Sequence, residues 1–303
     1  MPVAVWVVLL AVTLDLTLGE PASSWHPVVW IGNLLKFARS RWRASSPGAQ
    51  FFEGAGWWLI GATLVTGLAW LASSLIVQLP IWLEVVLLAI LLKPLLSIRS
   101  LWRAVRAVQI PLEVSDLPEA RKMLSWHLVS RDTSQLLEDE IAGAAIESLF
   151  ENLSDSVIAP ILCFLIGGLP FAALYRFANT GDAMWGYRTQ QLEYTGKFAA
   201  RADDLLNLIP SRVTGACFAL GSWNSESWRV MWRDGLKTAS PNAGVPMAAG
   251  AGALGIRLEK RSVYALNRHA RAPEAGDMAR AIRLSQIALV LFLGALILLE
   301  VTL

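Results

Sequence analysis

Long apolar runs separated by short, arginine-rich polar segments set the pattern of this chain. Apolar stretches lie near residues 3–18, 55–76, 81–98, 157–175, 205–222 and 284–303. A helix needs roughly 20 largely apolar residues to cross the hydrocarbon core, so the runs at 3–18, 55–76, 81–98 and 284–303 predict transmembrane helices. The other two are interrupted: Pro160, Gly167, Gly168 and Pro170 break the first, and Asn207, Pro210 and Arg212 break the second. They predict broken or re-entrant helices, because irregular backbone is tolerated at membrane depth only where protein or a water-filled cavity satisfies it. The expected fold is all-α. It is a polytopic helical membrane protein forming a single membrane-embedded domain over 1–303, with four clear transmembrane helices, two broken ones, and cytoplasmic helical regions over 99–155 and 223–283.

Composition agrees with this pattern. The 303 residues are 55% hydrophobic and 17% charged, whereas a soluble domain carries about 25% charged residues. The net charge of +2 gives no reason to expect nucleic acid as a partner. No Lys or Arg precedes the first apolar run and no small-residue cleavage site follows it, so it reads as a retained helix and not a signal peptide. Basic residues gather at Lys36, Arg39, Arg41 and Arg43, in 99–131 and in 223–283. Lys and Arg favour cytoplasmic loops, which puts these segments inside the cell and both termini outside. Cys163 and Cys217 both lie in apolar stretches, against disulfides or a thiolate metal site, and His26, His127 and His269 show no zinc spacing.

Three polar stretches carry candidate chemistry. In "SRDTSQLLEDEIAGAAIESLFENLSD" a helix is expected from Thr133 or Ser134 to about Leu153, which aligns Glu140, Glu147 and Glu151 on one stripe with Asp155 after it. Like charges four apart repel. A buried stripe would call for a divalent cation held by oxygens, while an exposed one is an ordinary solvated face. In "YRFANTGDAMWGY" Asn179 and Asp182 share a helix face. In "KFAARADDLLNLIPSR" Asp203 and Asn207 lie one turn apart, and Asp204 can face Arg201. Acids beside a membrane segment are costly unless paired or functional; the plain alternative is an Arg201–Asp204 ion pair with Asn207 capping a kink. "KTASPNAGVPMAAGAGALG" puts Ser240, Asn242 and Gly244 at a helix start, where free N–H groups suit a phosphate or the turn simply packs. "DLTLGEPASSWHPVVWIG" adds Asp15, Glu20 and His26. "EYTGKF" lacks the first glycine and the hydroxyl of a P-loop.

Together these segments, from Asp15 to about Leu258, resemble the adenosylcobinamide-phosphate synthase family of cobalamin biosynthesis. The resemblance implies a multi-pass protein of the bacterial inner membrane with its active face toward the cytoplasm. The implied activity is a ligase that joins (R)-1-aminopropan-2-ol or its O-phosphate to adenosylcobyric acid, with ATP as co-substrate and Mg2+. Such a condensation requires activation of the acid, as an acyl phosphate or adenylate, and magnesium between phosphate and carboxylate oxygens suits that transfer. On this reading Glu147, Glu151, Asp182, Asp203 and Asp204 are catalytic, and Glu147, Glu151, Asp155, Asp182 and Asp204 face the metal. Arg131 and Arg201 contact phosphate, for which a planar guanidinium is well shaped. Asn179, Asn207, Ser240, Asn242, Gly244 and His26 line the substrate site. The partners implied are the corrinoid, the amine, the lipid bilayer and other late enzymes of the pathway. The chain departs from the family pattern at Met247, where an acid is expected, at Thr238 and Ala239, where a histidine is expected, and at Glu20, Ser156 and Gly181. Two other classes fit parts of the pattern: an ion-coupled transporter, from polar residues in interrupted helices, and a non-catalytic membrane sensor of the same superfamily.

Overall fold

Caps and prolines fix most helix starts in the computed structural model, which describes residues 2–21, 23–187, 189 and 191–302. In chain order the helices are α1 (Pro2–Leu18), α2 (Pro27–Arg39), α3 (Pro47–Ile76), α4 (Ile81–Leu92), α5 (Ile98–Glu113), α6 (Leu117–His127), α7 (Glu138–Leu153), α8 (Ala159–Trp185), α9 (Lys197–Leu206), α10 (Leu208–Ser222), α11 (Ser225–Asp234), α12 (Gly244–Leu254) and α13 (Ala275–Thr302). A π-helical turn, Ser154–Ile158, joins α7 to α8, and a short antiparallel hairpin, β1 (Leu258–Lys260) and β2 (Tyr264–Leu266), precedes α13. His26 caps α2, with Pro27 at its first position; Asp116 caps α6 and Asn224 caps α11, each side chain accepting a backbone N–H of the first turn.

The all-α expectation holds, with the hairpin the one element that helical periodicity does not announce. Both interrupted stretches are broken as expected. Gly168, at φ 65° and ψ −162°, interrupts α8 ahead of Pro170 in a conformation that essentially only glycine adopts. Asn207 separates α9 from α10. Helix α7 begins later than predicted. Asp132 closes a turn by accepting from the Ser134 N–H at 2.9 Å, and the Glu140 carboxylate accepts from the Leu137 N–H at 2.8 Å, so the helical ladder starts at Glu138.

Among the described residues, four helical stretches are long and apolar enough to cross a membrane: Pro47–Ile76, Ile81–Glu113, Glu138–Trp185 and Ala275–Thr302. This set differs from the expected one. At 17 residues α1 lies at the lower limit of length for a span, whereas the broken stretch at 157–175 belongs to a much longer helical run.

The described chain packs as two compact units, each built from two separated segments. The first comprises the chain up to Ser97 together with Ala159–Asn207. Its core packs Ile31, Leu35, Trp58, Phe177 and Trp185, with Trp58 edge-on to both Phe177 and Phe198 at ring separations of 5.6 and 5.1 Å. Such aromatic pairs add to what burial of their area contributes.

The second unit comprises Ile98–Ile158 and the chain from Leu208 onward. Phe150 and Phe218 stack at 4.7 Å in its interior. Asp234, fully buried at the end of α11, ties this unit together. It accepts from Arg233 Nε and Nη2 at 3.0 and 2.9 Å and from the Asn267 N–H at 2.7 Å, and it pairs with Lys237 at 2.6 Å. Burial alone would raise this carboxyl, but the hydrogen bonds from Arg233, Lys237 and Asn267 outweigh it and hold the group down at about 2. Cys163 in the first unit and Cys217 in the second are both buried and free, as expected.

Candidate functional site

Polar side chains are drawn into the interior at two places, one in each unit.

In the first unit, Tyr175, Asn179 and Asp182 recur at helical spacing on the second half of α8, and α9 brings Asp203 and its C-cap Asn207 to the same place. The Tyr175 hydroxyl donates to Asn207 Oδ1 at 2.9 Å, and Asn207 Nδ2 donates to Asp203 Oδ2 at 3.0 Å. Asn179 Nδ2 reaches Asp203 Oδ1 at 3.4 Å, while its own Oδ1 accepts from Arg176 Nη1 at 3.3 Å. Arg176 is in turn fixed by Nε donating to the Leu95 carbonyl at 3.1 Å. Each asparagine therefore uses both ends of its amide, giving a chain of directed bonds that ends on Asp203. Burial, and then the neighbouring Asp182 charge, push the Asp203 carboxyl well above the usual carboxylate range, against the two amide donors that favour its ionised form. Asp182 is close enough to Asp204 for their charges to interact. Its carboxylate lies against Gly186, where a Cβ would fall 1.9 Å from Asp182 Oδ1, so "DAMWG" requires glycine at its end.

The other expected residues of this unit divide. Arg201 is exposed on α9. His26 serves as the α2 cap, its Nδ1 accepting from the Val28 N–H at 3.3 Å, and its Nε2 lies 3.0 Å from Glu20. Lys93 sits 3.6 Å from Glu20 and 3.9 Å from the fully buried Asp15, so "DLTLGEP" and "HP" meet around a lysine that the sequence did not single out.

In the second unit, a cavity of about 220 Å³ is lined by Arg131, Glu147, Ser148, Glu151, Asn152, Lys260 and Tyr264, among others. The predicted carboxylate stripe on α7 is thereby divided. Glu140 pairs with Arg261 and lines a separate recess with Asp139, Arg257 and Glu259, whereas Glu147 and Glu151 face the cavity. Glu147 is only 6% exposed, which overturns the solvated-face alternative for that residue. Tyr264 lines the same cavity beside it, and burial, followed by the nearby carboxylates, raises the Tyr264 hydroxyl and keeps it neutral. The hairpin delivers Tyr264 and Lys260, which face each other across its register. Asp155 falls in the π-helical turn.

Ser240, Asn242 and Gly244 form the turn before α12, with much of its polarity spent internally. Thr238 Oγ1 accepts from the Gly244 N–H at 3.1 Å, Ser240 Oγ accepts from the Asn242 N–H at 3.2 Å, and Asn242 Oδ1 accepts from Arg212 Nη1. Met247, where an acid is expected, is 2% exposed.

The five expected metal ligands fall into the two groups: Asp182 and Asp204 in the first unit, Glu147, Glu151 and Asp155 in the second. Among the described residues no three His, Cys, Asp or Glu side chains are grouped as ligands of one ion. Magnesium is commonly held by one or two carboxylates plus substrate phosphates, so Asp182 and its aspartate neighbours fit a magnesium–nucleotide better than an all-protein cation cage. Tyr175, Lys93, Lys260 and Tyr264 escaped sequence reasoning. Only Tyr175 left a readable trace, four residues before Asn179 on the same helical face.

Comparison with known proteins accords with these motifs. The chain is 42% identical over 292 residues to the "Probable cobalamin biosynthesis protein CobD" of Methanothermobacter thermautotrophicus, covering 94% of each chain. It is 42% identical over 283 residues to the cobalamin biosynthesis protein CobD of Geobacter metallireducens, covering 89% of this chain and 86% of the relative. It is 40% identical over 297 residues to that of Rhodobacter capsulatus, covering 92% of each. No solved structure matches the chain. A family profile described as CobD/Cbib protein matches residues 8–293, and the chain belongs to that family.

Proposed function

We propose that this protein is an acid–amine ligase of cobalamin biosynthesis. It would join (R)-1-aminopropan-2-ol or its O-phosphate to a propionate carboxylate of adenosylcobyric acid, giving adenosylcobinamide or its phosphate, with ATP and Mg2+. The observation that carries this reading is that "NTGDAMWG" and "ARADDLLN" meet in one hydrogen-bonded network around Asp203. The names of the relatives support the pathway.

Magnesium bound with nucleotide would neutralise phosphate charge and polarise the phosphoryl oxygens during activation of the acid. Asp182 would hold it, with Asp204 beside it. Asp203 sits between two amide donors that fix the direction of its oxygens, and Asn179 and Asn207 are locked in turn by Arg176 and Tyr175. An anionic pair of this kind is costly without a cation or a proton, as the upward-shifted Asp203 carboxyl illustrates. Arg201, exposed at the surface of the same unit, is free to reach a phosphate. From the distribution of Lys and Arg, the working face is assigned to the cytoplasmic side of the inner membrane.

The test is incubation of detergent-solubilised protein with adenosylcobyric acid, the aminopropanol phosphate and Mg-ATP, with mass spectrometry of the corrinoid. An added mass equal to the amine less one water is expected. No product, beside a relative that makes it, ends the ligase reading, and uptake of substrate into sealed liposomes in its place would establish a transporter.

A further inference from the structure

We infer that an apolar groove in the first unit holds one acyl chain of a bilayer phospholipid, a ligand apart from the substrates of the proposed ligation.

The groove has a volume of about 410 Å³, within the size range of small-molecule sites. Its floor is formed by Leu95, Leu169 and Ala173, all buried, and its rim by Trp30, Leu64 and Leu68, all exposed. Every residue that lines it is apolar, and the indole N–H of Trp30 is already spent on the Ser24 carbonyl at 2.8 Å. Ligand pockets ordinarily place a few polar groups to orient their guest. This one offers none, so it suits a guest that is pure hydrocarbon over the length it buries. Alanines keep it open: Ala69 and Ala72 on α3 and Ala173 on α8 stand where longer side chains would fill the space.

The surroundings supply the occupant. Leu64 and Leu68 belong to Pro47–Ile76, a helix long and apolar enough to cross a membrane, whose outer surface also exposes Ile60, Leu71 and Leu75. The rim is therefore continuous with a lipid-facing surface. Apolar cavities stay dry, and an unfilled groove forfeits the dispersion contacts of its walls. In a bilayer the molecule at hand to restore them is an acyl chain, whose flexible methylenes can follow a groove between helices. Lipid tails are as apolar as leucine, so retention there rests on packing and not on escape from water. Leu95 ties the groove to the carboxylate network. Its side chain lies on the floor, while its carbonyl accepts from Arg176 Nε at 3.1 Å, and Arg176 Nη1 in turn holds Asn179 Oδ1. A chain seated in the groove packs against the turn that anchors Arg176.

The experiment is photolabelling of the full chain in liposomes of phosphatidylethanolamine and phosphatidylglycerol, doped with a phosphatidylcholine that carries a mid-chain diazirine. Labelled positions are mapped by mass spectrometry of the peptides. Lipid that merely surrounds the protein reaches the exposed Leu64 and Leu68, whereas a chain seated in the groove also labels Leu95 and Ala173, which is the expected result. Ala173→Leu takes up part of the groove and removes on the order of ten carbon–carbon contacts, so labelling of Leu95 relative to Leu68 should fall about tenfold. Ala72→Leu, on the half-buried wall, spares the floor and should lower the same ratio, which decides the matter if Ala173→Leu fails to fold. Label confined to Leu64 and Leu68 in the wild type, or an unchanged ratio in a folded variant, overturns the inference. Disulfide-linked dimers of Leu68→Cys chains, with the floor unlabelled, would give the groove to a second copy and overturn it likewise. No corrinoid, amine or nucleotide enters the assay, so either result leaves the ligase reading to its own test.

Discussion

Asp203 in the first unit and Glu147 in the second are both buried acids on helices, yet the chain treats them in opposite ways. Asp203 receives two side-chain amide donors, each locked by a further bond. Glu147 stands near the Tyr264 hydroxyl, and its Oε1 is buried with no hydrogen-bond partner among the described residues. The first arrangement is finished by the protein and holds its geometry whether or not a ligand is present. The second leaves one oxygen unpaired in the interior. Burial of a carboxylate by itself therefore says little; the partners of its lone pairs distinguish a preorganised group from a strained one.

This contrast breaks first at Asp203. Asp203→Asn should lower amide formation at least about 100-fold, the scale seen when a preorganised electrostatic group is removed; product formation at the wild-type rate would reduce the network to a structural tie. The same variant tests the sign of its pH linkage. A carboxyl whose folded pKa is raised loses stability as pH climbs through and above its unfolded value. The asparagine variant should therefore show a flatter melting temperature between weakly acidic and neutral pH than the wild type.

Next in size is Asn207→Ala, which removes the donor to Asp203 Oδ2 and the Oδ1 that accepts from the Tyr175 hydroxyl. A loss of about 1–3 kcal/mol is expected, read from denaturant titration in mixed micelles. Preserved stability would mean that water takes over both bonds.

Asp234 supplies a comparable effect with the opposite pH dependence. Its carboxyl, held down at about 2 against an unfolded value of 3.8, contributes stability above the unfolded value that is lost as pH falls through 3.8 toward 2. The difference corresponds to roughly 2 kcal/mol at neutral pH. Asp234→Asn should be destabilised by about that amount at pH 7 and converge on the wild type in melting scans near pH 2. A constant gap across that range would show packing, and not charge, to be the cause.

The smallest effect belongs to Arg201, which is exposed. Arg201→Ala should change stability by less than about 0.5 kcal/mol while raising the KM for nucleotide. An unchanged KM removes the guanidinium from the phosphate site.

The broken segments were legible because glycine, proline and asparagine act locally: Gly168 and Asn207 interrupt helices where the sequence said they would. The "NTGDAMWG" and "ARADDLLN" motifs were legible as candidates because acids rarely flank apolar runs without cause. The start of α7 was misplaced, since the turn closed by Asp132 competes with a helix through side-chain bonds that spacing alone does not weigh. The carboxylate stripe was misjudged as a unit. Glu140 pairs with Arg261 while Glu147 lines a recess with Tyr264, and both neighbours come from a hairpin more than 100 residues along the chain.

By itself the sequence determined the membrane character, the all-helical class, the family and the residues worth watching, because hydropathy, turn chemistry and motif identity are properties of short stretches. Only the tertiary structure decided that the chain divides into two units, and that the acids sort between a completed network and an open cavity. Those outcomes depend on which long-range neighbour reaches each oxygen, and hydrogen bonds made across 24 to 32 residues leave no period in the chain to be read.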